Sequence, residues 1–100
     1  LGLVHTCDPQ DWVDAWKLHD WNTALVRVEG KYPRITTWIN DLMVNDFDGS
    51  NSTNARYQEK KEHVLKLLGT SGSIAVQVHG GKGWPVGAKC RWKNIRIREL

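Results

Sequence analysis

The chain has no Cys-x-x-Cys unit, no apolar run approaching the length of a membrane span, no internal repeat and no low-complexity tract. The missing Cys-x-x-Cys argues against a thioredoxin-type redox site and a zinc ribbon. Without a long apolar run, a soluble domain is expected. Cys7 and Cys90 are the two cysteines, and sequence alone leaves open whether they pair, because no distance between them can be read from it. The chain starts at Leu1 without methionine and without a charged-then-apolar leader. Any export signal is therefore expected to have been removed or to lie outside the sequence.

Charge of one sign is also in short supply. Fourteen basic and eleven acidic residues leave a net charge of +3. The basic residues gather late in the chain, at Lys82, Lys89, Arg91, Lys93, Arg96 and Arg98. On a strand, Arg91 and Lys93 point opposite to Arg96 and Arg98, and no nucleic-acid-binding fingerprint accompanies them. They are read as solubilising side chains, and no nucleic-acid partner is expected.

What is present suits one small domain over residues 1–100. A chain of 100 residues buries roughly two thirds of the surface its unfolded form exposes. An apolar fraction of 40% with six tryptophans is ample for a globular β domain. Residues 1–6 could form a strand, ended at Cys7-Asp8-Pro9. Beyond Pro9, the spacing of Trp12, Val13 and Trp16 fits a short surface helix or turn. Ala24, Val26 and Val28 alternate as in a strand over 21–29, Gly30-Lys31-Tyr32-Pro33 reads as a turn, and 34–40 as the return strand. Residues 42–47 make a third strand, completing an antiparallel meander. Thr53 or Asn54 can cap a helix reaching Leu68, with Tyr57, Val64, Leu65 and Leu68 on one face, Glu59 to Glu62 in water and Gly69 as its stop.

Three patterns suggest ligands and fail on detail. Asp46-x-Asp48-x-Ser50 opens like a calcium loop, but Asn51 stands where glycine is needed and Tyr57 where glutamate is needed, so a polar turn is expected. Asn51-Ser52-Thr53 matches a glycosylation acceptor, a pattern too frequent to carry function. His5-x-Cys7-Asp8 offers metal-ligating atoms, yet no second close pair completes a tetrahedral set.

The stretch Ser73-Ile74-Ala75-Val76-Gln77-Val78-His79-Gly80-Gly81 is the most informative. As a strand it sends Ile74, Val76 and Val78 to a core face, and Ala75, Gln77 and His79 to the other. Glycines 80, 81 and 83 open a loop carrying Lys82 and Trp84, and residues 90–100 read as a closing strand. Trp21, Trp38 and Trp92 fall in strand patterns and are expected in the core. Trp84 is either a loop plug or a platform for a sugar ring.

Gly72-x-Ile74-Ala75-x-Gln77-x-His79-Gly80, followed by Arg91-Trp92-Lys93-Asn94-Ile95-Arg96-Ile97-Arg98-Glu99-Leu100, resembles the end of the 3-keto-disaccharide hydrolase domain family. Trp21-Asn22-Thr23, Val28-Glu29-Gly30 and Ile35-Thr36-Thr37-Trp38-Ile39-Asn40 resemble its middle strands in the same order. One departure is Asn40-Asp41 where that family usually has Asn-Gly, which a left-handed turn tolerates. The resemblance implies an all-β fold, part of a concanavalin A-like jelly-roll β-sandwich with one short inserted helix, and it covers only the C-terminal half of the family domain. It further implies an exported bacterial protein, secreted or periplasmic, acting on oxidised sugars.

The chemistry so implied begins with a C3 ketone that acidifies the C2 proton. A base removes the proton, the C1 substituent leaves, and water adds afterwards. On this reading His79 is the catalytic residue, either as base or as ligand of a divalent ion, and no other cofactor is expected. Gln77, Gly80 and Trp84 would bind substrate, while the family's acidic groups are expected upstream of Leu1. A non-catalytic carbohydrate-binding or accessory module on the same scaffold is the alternative. Since a sandwich needs two sheets, one face is expected to need either a missing N-terminal half or another chain.

Overall fold

The computed structural model describes residues 5–69, 71–78 and 81–100. Helix α1 (Pro9–Ala15) precedes strands β1 (Ala24–Glu29), β2 (Arg34–Ile39) and β3 (Leu42–Asp48), and helix α2 (Ala55–Leu68) follows. The strands form one antiparallel sheet in the order β1-β2-β3, the expected meander. Thr6 extends it past β3, its amide donating to the Val44 carbonyl at 3.4 Å and its hydroxyl to Met43 O at 2.7 Å.

The β2–β3 turn is made by Asn40 (φ 47°) and Asp41 (φ 69°). Positive φ at both central residues is the type I′ signature, whose twist matches the flanking strands. Asn and Asp accept it because their short polar side chains tolerate the left-handed region.

Pairing sets the two faces of the sheet. Val28, Ile35 and Phe47 lie in one row, and Val26, Thr37 and Asn45 in the next. Phe47 is 2% exposed and Tyr57 of α2 5%; their rings meet edge to face at 5.1 Å and 89°, a geometry aromatic quadrupoles favour. Gly49 lets the chain pass this contact: a Cβ there would sit 2.7 Å from both the Pro33 carbonyl and the Tyr57 hydroxyl.

The opposite face is polar. The Arg34 guanidinium grips Asp46 with two bonds, 3.0 and 2.7 Å, and the Thr36 hydroxyl donates to the same carboxylate at 3.3 Å. Hydrogen bonding to Arg34 holds Asp46 below the usual carboxylate range and pushes Arg34 higher still. Asp48 accepts from the Asn51 side chain at 2.9 Å and from the amides of Asn51 and Ser50 at 3.1 and 2.9 Å. The Asn51 bonds, the side chain's first, lower its pKa too.

Helix α2 starts as expected, with Asn54 Oδ1 accepting from the Tyr57 amide at 3.0 Å, and stops at Gly69 (φ 62°). Tyr57 is buried, Val64 and Leu65 are half-buried, and Leu68 is exposed. Glu59, Lys60 and Glu62 are exposed as expected, while Lys61 is half-buried. Glu62 accepts a 2.5 Å bond from the Tyr32 hydroxyl, and the Lys61 ammonium lies 4.3 Å above the Tyr32 ring, tying α2 to the β1–β2 turn.

The largest correction concerns the last third. Residues 71–78 and 90–100 form no strand, and Ile74, Val76, Val78, Trp92, Ile95 and Ile97 are exposed where core was expected. Trp21 is exposed as well, with the Lys93 ammonium 4.0 Å from its ring centroid; only Trp38 of the three expected core tryptophans is half-buried. Alternation marks a segment's capacity to be a strand, but the strand exists only when a neighbour takes its N–H and C=O groups. Among the described residues no strand pairs with these segments. The radius of gyration of 15.7 Å exceeds the ~13 Å of a compact 100-residue domain, in keeping with the exposure of residues 71–78 and 81–100.

Two expected outcomes test this account. Asn54→Ala removes one cap bond and should lower unfolding free energy by about 1 kcal/mol, whereas Phe47→Ala should cost about 3–5 kcal/mol; equal denaturation midpoints for the two variants would contradict Phe47 as the centre of the core. Asp46 and Asp48 titrate lower when folded, so the unfolded chain binds more protons as pH falls below their unfolded value of about 3.9. Their contribution is complete above that value and is lost as pH drops through the lower folded values. Asp46→Asn should flatten this acid limb in denaturant titrations between pH 6 and pH 2, and an unchanged limb would show that the Arg34 pair does not couple to folding.

Candidate functional site

Gln77 lies in the exposed run 71–78. Trp84 closes a tight turn, its amide donating to Gly81 O at 3.1 Å, and a second turn follows through Ala88 N to Pro85 O at 3.0 Å. The indole of Trp84 is partly exposed. His79 and Gly80 lie outside the described residues, so the expected sharing of one face by Gln77 and His79 is neither supported nor contradicted. Cys7 is half-buried, Cys90 is exposed, and both are free thiols.

Two cavities sit on the sheet, and neither is lined by Gln77 or Trp84. The first, about 440 Å³, lies between the end of β3 and the start of α2, against Asp46, Phe47, Asp48 and Asn51 to Asn54. Its carboxylates are already engaged, Asp46 by Arg34 and Asp48 by its own turn. This is the polar turn expected from the failed calcium pattern. Among the described residues, no group of three or more His, Cys, Asp or Glu side chains could hold a metal ion.

The second cavity, about 580 Å³, lies between α1 and β3 and is lined by His5, Cys7, Asp8, Pro9, Trp12, Val44 and Asn45. Its shape follows from a bulge. Thr37 pairs with Asn45 and Trp38 with Met43, leaving Val44 without a partner on β2; bulges bend a strand and re-aim its side chains. The Val44 carbonyl turns instead to the Thr6 amide, which lays residues 5–8 along the rim. Asn45 is 9% exposed, its Nδ2 donates to Ile35 O at 3.3 Å, and its Oδ1 has no partner. Sequence reasoning weighed His5, Cys7 and Asp8 as metal ligands, and Cys7 also as a disulfide partner of Cys90, and missed Trp12 and Asn45. A polar residue inside the otherwise strand-like 42–47 run was the available signal for Asn45.

Residues 3–98 match the family described as the 3-keto-alpha-glucoside-1,2-lyase-like domain. No curated protein and no solved structure matches the chain. The match takes in the Trp38-Ile39-Asn40 hairpin, the α1–β3 cavity and the Gln77 to Trp84 stretch together, and the chain belongs to the 3-keto-alpha-glucoside-1,2-lyase-like domain family.

Proposed function

We propose that the chain belongs to a carbohydrate-active enzyme that cleaves 3-keto-glycosides, and that its sheet is part of a concanavalin A-like jelly-roll sandwich. The observation carrying this is the family match across residues 3–98, whose description names an elimination between C1 and C2. The C3 ketone makes the C2 proton acidic. A base takes that proton, the electron pair forms the enolate, and the C1–O bond breaks with the leaving group keeping its electrons. Water can then add to the unsaturated product, completing a net hydrolysis.

His79 is assigned the base role, because an imidazole with an ordinary pKa near 6.5 is suited to proton transfer at neutral pH. Gln77 would donate to a sugar hydroxyl or to the carbonyl where charge develops, and Trp84 would stack on the sugar ring. Gly80 would leave the backbone open to close approach by substrate. A divalent ion held by His79 is the other route to stabilising the enolate. The described residues gather no ligand set for one, and no step is assigned to it. Export to the periplasm or beyond is part of the same proposal.

The test is turnover of a 3-keto-disaccharide followed by the appearance of free sugar. His79→Asn should lower kcat roughly a hundredfold to ten-thousandfold, the range a general base contributes, with the melting temperature unchanged. A lower melting temperature with full specific activity of the folded fraction would overturn the assignment. Binding without cleavage by the unmodified chain would favour a carbohydrate-binding module.

A further inference from the structure

The two edges of the sheet end differently. Along β3, Thr6 bonds to Met43 O and Val44 O, and His5 bridges to Asn45. Along β1, no strand lies outside Ala24–Glu29 among the described residues. That edge also lacks the usual safeguards against pairing with another chain. It carries no proline and no lysine, its register with β2 runs without a bulge, and its two charges, Arg27 and Glu29, neutralise each other at 2.8 Å. Leu25, Val26 and Val28 on it are each more than half exposed. An even, apolar edge with free N–H and C=O groups is a template for one more strand.

A strand that fits it is present in the same sequence. Ile95-Arg96-Ile97-Arg98-Glu99-Leu100 has six residues, as β1 has, and alternates without glycine or proline. Ile95, Ile97 and Leu100 are exposed, and no strand pairs with them among the described residues. Charge favours the match: residues 1–50 hold eight acidic and four basic side chains, whereas residues 71–100 hold one acidic and six basic. The chain already brings the two regions together at one point, where the Lys93 ammonium lies 4.0 Å from the ring centroid of Trp21, just ahead of β1. That contact starts 95–100 at the end where β1 also starts, so within one chain the two would run parallel. Antiparallel pairing is the stronger, and it needs the segment of a different copy.

We propose that two copies of the chain associate by exchanging residues 95–100, each segment adding as an antiparallel strand to the free edge of the other copy's β1. Placed there, Ile95 and Ile97 join Val26 and Val28 and extend the face that holds Ile35 and Phe47. Arg96 and Arg98 take the opposite face, with Glu29, Asp46 and Asp48 as well as Arg27 and Arg34. Reciprocal exchange closes the pair as a two-fold dimer. The new outer strand carries Arg96 and Arg98, charges that blunt an edge against further addition. The dimer does not depend on the sugar chemistry.

Sedimentation velocity of the full chain from micromolar to millimolar concentration tests it. The mass should rise to that of a dimer and fall again on dilution. Val26→Lys puts a charge on the edge and Ile97→Glu puts one on the segment, and each alone should weaken dimerisation by about tenfold or more. Ile97 is exposed, so its variant keeps the test valid if Val26→Lys fails to fold. Mixed together, the two variants should recover part of the association that neither shows alone, because one still has its segment and the other its edge. A monomer at every concentration overturns the exchange, and hydrogen-exchange protection of the 95–100 amides in that monomer would put the strand in its own chain. A dimer that Ile97→Glu leaves unchanged also overturns it, since its contact then lies elsewhere.

Discussion

The hydrogen bonds of Asn40 join the β2–β3 turn to the end of α1 and to the start of β1. Its backbone takes the left-handed conformation that the β2–β3 turn needs. Its side-chain nitrogen donates to Ala15 O and Asn22 Oδ1, each at 2.7 Å, and its Oδ1 accepts from the Thr23 amide at 2.9 Å. The Asn40 backbone amide returns a bond to Thr23 O, also at 2.9 Å. One side chain thus closes the hairpin, fixes the start of β1 and anchors the end of α1. Because α1 is held there, Trp12 stands beside β3 and the α1–β3 cavity has a wall. An amide is the only neutral group short enough for the turn that offers both donors and an acceptor. Alanine would lose all three side-chain bonds, and aspartate would keep the acceptor while losing both donors.

The sheet is otherwise stabilised from one corner. Phe47 and Tyr57 are the only buried large apolar residues among the described residues, and the sheet row of Phe47 runs out to Ile35 and an exposed Val28. The polar face relies on the Arg34–Asp46 pair, which is solvent-exposed enough to be screened. Apolar burial and the entropy of the ordered chain nearly cancel in a domain of this size, leaving a net stability of only about 5–15 kcal/mol. Loss of a single aromatic contact is a large share of that. Glu62 and Lys61 matter for the same reason: by gripping Tyr32 they hold α2 over Phe47 without adding apolar area.

What could be read from the sequence was local. The cap at Asn54, the stop at Gly69, the Asn40-Asp41 turn and the three strands of the meander each depend on residues within a few positions, or on a strand whose partner is the next one along. What could not be read depends on distant partners. Ile74, Val76 and Val78 alternate as cleanly as Ala24, Val26 and Val28, but only the latter meet a neighbouring strand. The bulge at Val44 escaped notice because an unpaired residue leaves no mark on period-two alternation. Glu62 is exposed as its helix suggests, but nothing in that helix shows that Tyr32, thirty positions earlier, reaches it.

The same bonds narrow where proton chemistry can reside. Asp46 is clamped by Arg34, Asp48 is tied into its turn, and both are held below the usual carboxylate range. A carboxylate stabilised in its charged form is a weak base at neutral pH, since efficient proton transfer needs a pKa near the working pH. Glu29 is paired with Arg27 at 2.8 Å and Glu62 accepts from Tyr32. The acidic side chains of the strands, with Glu62 of α2, are thus engaged in hydrogen bonds or ion pairs, as is Asn40. In the reaction proposed above, the base for the C2 proton is assigned to a group whose ordinary pKa lies near neutrality. His79 is the residue to which the proposal gives that role.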